Sequence, residues 1–172
     1  MKENKELIST LIRKRINKKH TKKLIRFLKE YTYTFNQLAP TRLQGNRKKY
    51  FESLNIVTNK DFSNAVKYIK NDIFSSQCYE YKLDGTVEFD KIKYIYNLFE
   101  NKKGNYAIFK NSQGYKQLES FFIRLSNAFN HNNFVCIRER LFIWNQHGNK
   151  IQGVFVMCFK DFDRIMNYLK SM

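Results

Sequence analysis

Two acids and a lysine in the middle of the chain have a spacing that suits metal-dependent hydrolysis. Asp72, Glu80 and Lys82 give the pattern D-x7-E-x-K. In such a site two carboxylates hold Mg²⁺, and the lysine helps to orient or activate the attacking water. Glu80 and Lys82 fall on a predicted strand, where alternation places both on one face. The same alternation is ordinary on a solvated strand, so both interpretations stay open.

The order of these three residues resembles that of metal-dependent nucleases of the restriction type. The resemblance implies an Mg²⁺-dependent nuclease, which we keep as an alternative hypothesis. Asp72 departs from the family pattern, because the sequence places it near the end of a helix whereas the pattern requires a strand.

The histidines and cysteines show no spacing typical of a metal site or a nucleophile. We expect surface histidines at His20, His131 and His147. We expect reduced, mostly buried thiols in a cytosolic protein at Cys78, Cys136 and Cys158. No motif for nucleotide hydrolysis or dinucleotide binding occurs. We therefore predict no catalytic residue, no metal and no cofactor.

The strongest chemical signal is a dense block of positive charge. Between residues 13 and 29, ten of seventeen residues are basic, His20 included, and no acid occurs from residue 7 to residue 29. Residues 1–50 hold 15 Lys and Arg against 3 Asp and Glu, whereas residues 51–172 hold 17 against 12. Like charges four residues apart on a helix repel each other, and phosphate is the usual partner that offsets them.

This block predicts a surface that binds the phosphate backbone of RNA or DNA. The expected contacts are Arg13, Lys14, Arg15, Lys18, Lys19, Lys22, Lys23 and Arg26, with Arg47, Lys48 and Lys49 helping. A second cationic surface is predicted on the strand 134–145, where alternation places Arg138 and Arg140 on the face of Cys136 and Phe142. That face would bind nucleic acid with Tyr and Trp neighbours that stack bases, or it is an exposed or salt-bridged strand.

Hydrophobic periodicity predicts an α+β fold in which a largely antiparallel sheet is packed by helices. The N-terminal helices are expected at 4–16, at 21–38 with Thr21 as N-cap, and at 41–54. The later elements are expected in the order αββαβαββα: a helix capped by Thr58 and Asp61, a hairpin of 78–83 and 86–89 around Asp84-Gly85, a helix starting at Asp90, a strand at Tyr106–Lys110, a helix around 118–129, strands at 134–145 and 150–160 joined by a turn at 146–149, and a helix starting at Asp161.

The chain divides into a basic helical region, residues 1–54, and an α+β body, residues 55–172. Because the strongest periodic elements begin at Thr58, we expect the body to fold without the N-terminal helix. With no signal-peptide pattern and no apolar run near the ~20 residues of a membrane-spanning helix, we expect a cytoplasmic protein without a membrane partner.

The leading functional hypothesis is a non-enzymatic nucleic-acid-binding protein, of phage or mobile-element origin. The first alternative is a small inhibitor of the anti-CRISPR type, which would dock on a bacterial RNA-guided nuclease or another nucleoprotein. The second alternative is the Mg²⁺-dependent nuclease at Asp72, Glu80 and Lys82.

Overall fold

A single sheet with helices on both faces organises the part of the chain that can be described. The computed structural model describes residues 21–39 and 51–172, together with the single positions Glu6, Ser9, Thr10 and Arg13. Within these residues the sheet has five strands and is mostly antiparallel. The predicted α+β class is therefore confirmed.

The elements follow in chain order, and each is named here with its bounds. They are α1 (Lys22–Leu38), α2 (Asn59–Tyr68) with a π-helical continuation (Ile69–Phe74), a 3-10 turn (Ser76–Cys78), β1 (Tyr79–Lys82), α3 (Phe89–Glu100), β2 (Tyr106–Lys110), α4 (Gln117–Asn130), β3 (Phe134–Ile137), β4 (Arg140–His147), β5 (Lys150–Cys158) and α5 (Phe159–Ser171). The strand order is β1-β2-β5-β4-β3, and only β1 and β2 are parallel neighbours within this sheet.

The capping signals place two helix starts as predicted and shift two others. The Thr21 hydroxyl accepts a hydrogen bond from the Leu24 amide at 3.2 Å, and Thr58 with Asp61 forms the predicted capping box. Asp161 lies inside α5 instead of at its start, because its carboxylate accepts the Cys158 amide at 2.9 Å. Asp90 similarly lies in the first turn of α3, and the N-cap is Glu88.

The predicted hairpin around Asp84-Gly85 is wrong. β1 pairs in parallel with β2, from Tyr79 opposite Ala107 to Lys82 opposite Lys110, and α3 connects the two strands. Residues 86–88 form no strand. The physical reason is burial: Val87 is 4% exposed in the core under α3, and its amide donates to the Ile151 carbonyl at 2.9 Å.

The predicted single strand 134–145 is also wrong, because β3 and β4 fold back on each other. The chain reverses at Arg138 and Glu139, whose φ angles are 49° and 66°, so that Ile137 pairs with Arg140. Two consecutive left-handed residues are typical of a two-residue hairpin turn, which usually contains Asn-Gly. Arg138 and Glu139 are not residues typical of such a turn, so the sequence did not predict one here. The hairpin between β4 and β5 does turn within the predicted 146–149.

The aromatic face of α1 packs into the main core of the protein. Phe35 is 1% exposed, and its ring centroid lies 5.4–5.7 Å from those of Phe122, Phe129 and Phe162. Residues on both sides of the predicted boundary at residue 54 therefore share one core. The division into two domains stays a prediction, but this packing leads us to expect that residues 55–172 alone are unstable.

The opposite face of the sheet is covered by α3. Ile92, Ile95 and Phe99 of this helix are buried in a second core with Phe142 and Trp144 of β4. Both faces of the sheet are thus closed to water. In the described ranges, no helix has the length and apolar character needed to cross a bilayer.

Glu6, Ser9, Thr10 and Arg13 are helical and exposed. The other positions of the predicted helix 4–16, the residues between that helix and Thr21, and residues 41–50 of the predicted third helix lie outside the described residues.

The packing of α1 predicts a large difference between two aromatic substitutions on that helix. Phe35→Ala should lower the free energy of unfolding by about 3–5 kcal/mol, because it empties a buried aromatic site. Tyr33→Ala is the control: Tyr33 is 69% exposed, and its loss should change stability by at most about 0.5 kcal/mol. Urea titration followed by the fluorescence of Trp144 measures both. Equal stability of the two variants would mean that α1 is an appendage of the body.

Candidate nucleic-acid interface

One exposed face of α1 presents positive charge outward. Lys22, Arg26 and Lys29 are all exposed and recur at spacings of four and three residues, so they lie along one side of the helix. We call these three residues the basic stripe. Lys29 was not among the predicted contacts. The opposite face of α1 is buried through Leu24 and Phe27, and the helix is therefore held in place with its cations toward solvent.

Two apolar side chains are exposed on the same face as the basic stripe. Ile25 is 43% exposed and Tyr33 is 69% exposed. Tyr33 follows Lys29 by four residues, so its ring continues the line of cations along the helix. Glu30 is the single acid of α1. Cations in line with an exposed ring suit a polyanion that also carries flat bases.

Lys23 lies beside the stripe and has an acidic partner. Its Nζ is 2.5 Å from Oε1 of Glu139, and the two side chains are 71% and 48% exposed. Such an exposed pair contributes less than about 1 kcal/mol. Arg138, the residue before Glu139, is exposed in the left-handed turn between β3 and β4. The turn thus brings Arg138 close to the first turn of α1.

Arg140 does not share a cationic sheet face with Arg138. Its Nη2 donates to the carbonyl oxygens of Lys103, at 2.8 Å, and of Gly104. Both carbonyls follow α3, so this guanidinium holds the end of that helix. The predicted face with Cys136 is wrong, because the two-residue turn sends Cys136 to the α1 side of the sheet, whereas Arg140 contacts the α3 side.

Most of the other predicted contacts lie outside the described residues. Arg13 is helical and exposed. The predicted contacts outside the described ranges are Lys14, Arg15, Lys18, Lys19, Arg47, Lys48 and Lys49. His20, predicted to be a surface histidine, also lies outside them.

The three residues of the nuclease pattern are not brought together. Glu80 pairs with Lys91 of α3 at 2.6 Å and accepts a hydrogen bond from the Tyr106 hydroxyl. Asp72 is on the π-helical segment, which packs against the other face of the sheet. Lys82 lies 3.8 Å from Glu88. In the described ranges no group of three or more His, Cys, Asp or Glu could hold a metal ion.

The carboxylate of Glu80 is stabilised in its charged form. Burial alone would raise the pKa of Glu80, but hydrogen bonds from Lys91 and Tyr106 and the nearby lysine charges lower it overall. Burial would lower the pKa of Lys91, but the bond to Glu80 raises it overall. Burial, together with the bond to Glu80, raises the pKa of Tyr106 to about 12. This cluster therefore ties β1, β2 and α3 together at neutral pH.

All three cysteines and two of the three histidines lie among the described residues. All three cysteines are free and half-buried, so the prediction of mostly buried thiols is only partly correct: Cys78, Cys136 and Cys158. His131 and His147 are exposed, as predicted.

The sequence did not predict a polar groove that these two histidines share. It has a volume of about 550 Å³ and lies where the β4–β5 hairpin turns, beside α4. Its walls include Gln113, Asn127, His131, Gln146 and His147. Its floor is Arg124 of α4, which is 7% exposed. Among the described residues that line the groove, none is an acid.

Arg124 is held by four neutral oxygens. Its Nε donates to the Lys110 carbonyl at 3.1 Å, and Nη2 to the Asn111 carbonyl at 3.0 Å. Its Nη1 donates to the side-chain oxygens of Asn145, at 3.2 Å, and of Gln152. One feature of the sequence could have indicated that Arg124 is buried: it is a cation between the buried positions of an amphipathic helix.

Comparisons with protein-family models, with curated proteins and with solved structures found no match to this chain.

The Glu80 cluster predicts a stability difference that depends on pH. Glu80→Gln should lower the free energy of unfolding at pH 7 by about 1 kcal/mol or less, because the partners are about one-third exposed. A lowered carboxyl pKa stabilises the fold above the ordinary value of 4.5, and this contribution is lost as the pH falls through the lowered pKa. The difference from the unchanged protein should therefore be largest at neutral pH and should shrink as the pH falls below 4.5.

Urea titrations across this pH range measure the effect. Glu88→Gln is the matched control, because the Glu88 side chain is 81% exposed and 3.8 Å from Lys82. Glu88 is the N-cap of α3, but its side chain makes no capping hydrogen bond, so its replacement should change stability by at most about 0.5 kcal/mol at every pH. A Glu80→Gln deficit that persists at low pH would show that the cluster acts through packing and not through charge.

Proposed function

We propose that this chain is a nucleic-acid-binding protein and that the basic stripe binds the phosphates of single-stranded RNA or DNA. The observation that carries the proposal is the stripe itself: Lys22, Arg26 and Lys29 are exposed on one side of a helix whose other side is locked into the core. Among the described residues, no carboxylate lies in an ion pair with these three cations.

The electrostatics of α1 favour a polyanion as the partner. Lys22 and Arg26 are four residues apart, and like charges at this spacing destabilise a helix by a few tenths of a kcal/mol. An ordinary solvated helix face mixes both signs more evenly, whereas here Glu30 is one acid beside the three cations of the stripe. A row of phosphates offsets the repulsion and releases its own counterions, which supplies most of the affinity of such contacts.

The length and the exposed ring of the helix favour a single strand. Eleven residues separate Lys22 from Tyr33, which corresponds to about 16 Å along the helix axis. This distance spans several phosphate groups. Tyr33 offers a flat ring at the end of the stripe, and stacking of one base on such a ring contributes about 1–3 kcal/mol. A base in a duplex is already stacked and does not reach this ring.

The inhibitor hypothesis also has one observation in its favour. Ile25 is 43% exposed within the basic stripe, and apolar anchors surrounded by polar side chains are typical of protein interfaces. In that case the stripe would contact an acidic surface of a nucleoprotein and displace its nucleic acid. The same binding measurements separate the two functions, since an inhibitor of this kind needs no affinity for free nucleic acid.

The basic stripe predicts a change in the salt dependence of binding. Replacing Lys22, Arg26 and Lys29 by Gln removes three charges at little helix cost, because the three residue types have similar helix propensity. With about 0.7 counterions released per contact on a single strand, the slope of log affinity against log salt should shrink by about 2 units. Fluorescence anisotropy with labelled single-stranded RNA and DNA at several salt concentrations measures this slope.

A matched variant controls for net charge. Lys67, Lys93 and Lys170 are exposed lysines on three other helices, and their replacement by Gln removes the same three charges. This variant should keep a slope within about half a unit of the unchanged protein. Equal slopes for both triple variants would place the phosphate contacts outside the stripe. No binding of either nucleic acid by the unchanged protein at low salt would favour the inhibitor.

Tyr33 makes a second, independent prediction of the proposed function. Tyr33→Ala should weaken binding of a single strand about tenfold and leave the salt slope unchanged, because stacking involves no counterions. Tyr94→Ala is the control, since Tyr94 is 52% exposed on α3, away from the stripe. Equal affinities of the two variants would exclude stacking on Tyr33. The same titrations with a hairpin duplex should show no effect of Tyr33→Ala.

A further inference from the structure

The buried arginine under the polar groove has no acidic partner. Among the residues that the structure describes, Arg124 is the one buried lysine or arginine. Two partly buried lysines lie close to acids: Lys91 is 2.6 Å from Glu80, and Lys82 is 3.8 Å from Glu88. Arg124 differs, because all four of its hydrogen-bond acceptors are neutral oxygens.

A buried charge without a counter-ion is unfavourable, and a bound anion relieves it. Burial lowers the pKa of Arg124, the direction expected for a cation removed from water. Four of the five guanidinium N–H groups donate within the protein. The fifth, on Nη2, has no acceptor among the hydrogen bonds of the described residues. These hydrogen bonds fix the guanidinium in position before any ligand arrives.

Arg124 packs over the backbone of β5 at Gly153. A Cβ added to Gly153 would crowd Cβ of Phe109 at 3.2 Å and the ring of Phe155 at 3.3 Å, whereas Cβ of Arg124, at 3.5 Å, would be in ordinary van der Waals contact. A glycine inside a strand is typical of a site where another group approaches the backbone closely. The sheet, α4 and the β4–β5 hairpin therefore build the floor of the groove together.

The walls of the groove suit a nucleobase. Gln113, Asn127 and Gln146 carry amides, which donate and accept hydrogen bonds at once. Asn and Gln pair with base edges in this way, for example with the N6 and N7 atoms of adenine. The volume of about 550 Å³ lies within the usual range of small-molecule sites.

We propose that this groove binds a nucleoside phosphate, with a phosphate oxygen at Arg124 and the base against the amide side chains. Two sources share this chemistry: a free mononucleotide and a nucleotide unit of a strand. The phosphate meets the guanidinium, and the neutral walls leave no acid to repel it. No covalent step is involved.

The groove is distant from the Lys22 end of the basic stripe. Lys23, next to that end, pairs with Glu139 just before β4 begins, whereas His147 at the end of β4 lines the groove. The eight residues of β4 put these two places about 25 Å apart. The groove shares no lining residue with the stripe, so the inference does not depend on the proposed function of the stripe.

Calorimetric titration of the full chain tests the proposal. The probes are the four nucleoside 5′-monophosphates, a 5′-phosphorylated dinucleotide, adenosine and inorganic phosphate. We expect a monophosphate or the dinucleotide to bind saturably, and more tightly than adenosine or inorganic phosphate. Gln113→Ala combined with His147→Ala removes two exposed wall side chains and should weaken this binding by at least about tenfold.

Arg124→Gln should abolish the binding, and Trp144 fluorescence shows whether that variant folds. If Arg124→Gln does not fold, the Gln113 and His147 double variant provides the test. Tighter binding of a monophosphate identifies a free nucleotide as the ligand, and tighter binding of the dinucleotide identifies a strand. The proposal would be overturned if neither a monophosphate nor the dinucleotide binds at millimolar concentration. It would also be overturned if the Gln113 and His147 double variant binds them with unchanged affinity.

The stripe variant separates this outcome from the proposed function. Replacement of Lys22, Arg26 and Lys29 by Gln should leave the affinity for the nucleoside phosphate unchanged. If the stripe variant still binds strands and the groove binds nucleotide, the proposed function alone is refuted. If the groove binds no nucleotide and the stripe variant loses strand binding, the groove proposal alone is refuted.

Discussion

The packing of aromatic rings between α1, α4 and α5 is the interaction on which the described structure depends. Phe27 stacks on Phe159 with centroids 4.3 Å apart, and Phe35 packs between Phe129 and Phe162. Aromatic side chains bury 150–250 Å² each, so these contacts dominate the energetics of this face of the sheet. They also set the orientation of α1. A helix anchored on one side by rings has no freedom to rotate, and its charged side must face water.

This anchoring links the core to the proposed function. A flexible basic segment binds phosphate too, but it loses conformational entropy when it does so. In α1 that entropy is already lost on folding, and the cations are held at fixed intervals. The exposed Tyr33 is fixed by the same contacts that bury Phe35 two residues later. Under the proposed function, affinity for a strand and stability of the fold would be two properties of one helix.

The parts of the fold that the sequence predicts are those with strong local signals. The capping box of Thr58 and Asp61, the strand Tyr106–Lys110 and the buried face of α5 follow from local hydrogen bonding and periodicity. The errors arise where distant contacts override a local signal. Asp84-Gly85 is a strong turn signal, yet burial of Val87 decides the path of the chain there.

The candidate sites divide in the same way. Lys22 and Arg26 were predicted as contacts because a high density of charge can be read directly from the sequence. Arg124 was missed, because its four acceptors come from three separate places in the chain, from Lys110 to Gln152. The turn at Arg138 and Glu139 has neither glycine nor asparagine, and a residue distant in the sequence contacts it: the Phe159 amide donates to the Glu139 carbonyl at 2.9 Å.

The order of the elements also has a consequence for synthesis. The aromatic face of α1 is made about 130 residues before α5 is complete, which takes on the order of ten seconds on the ribosome. During that time the mutual repulsion of the dense positive charge opposes association of emerging chains through this apolar face.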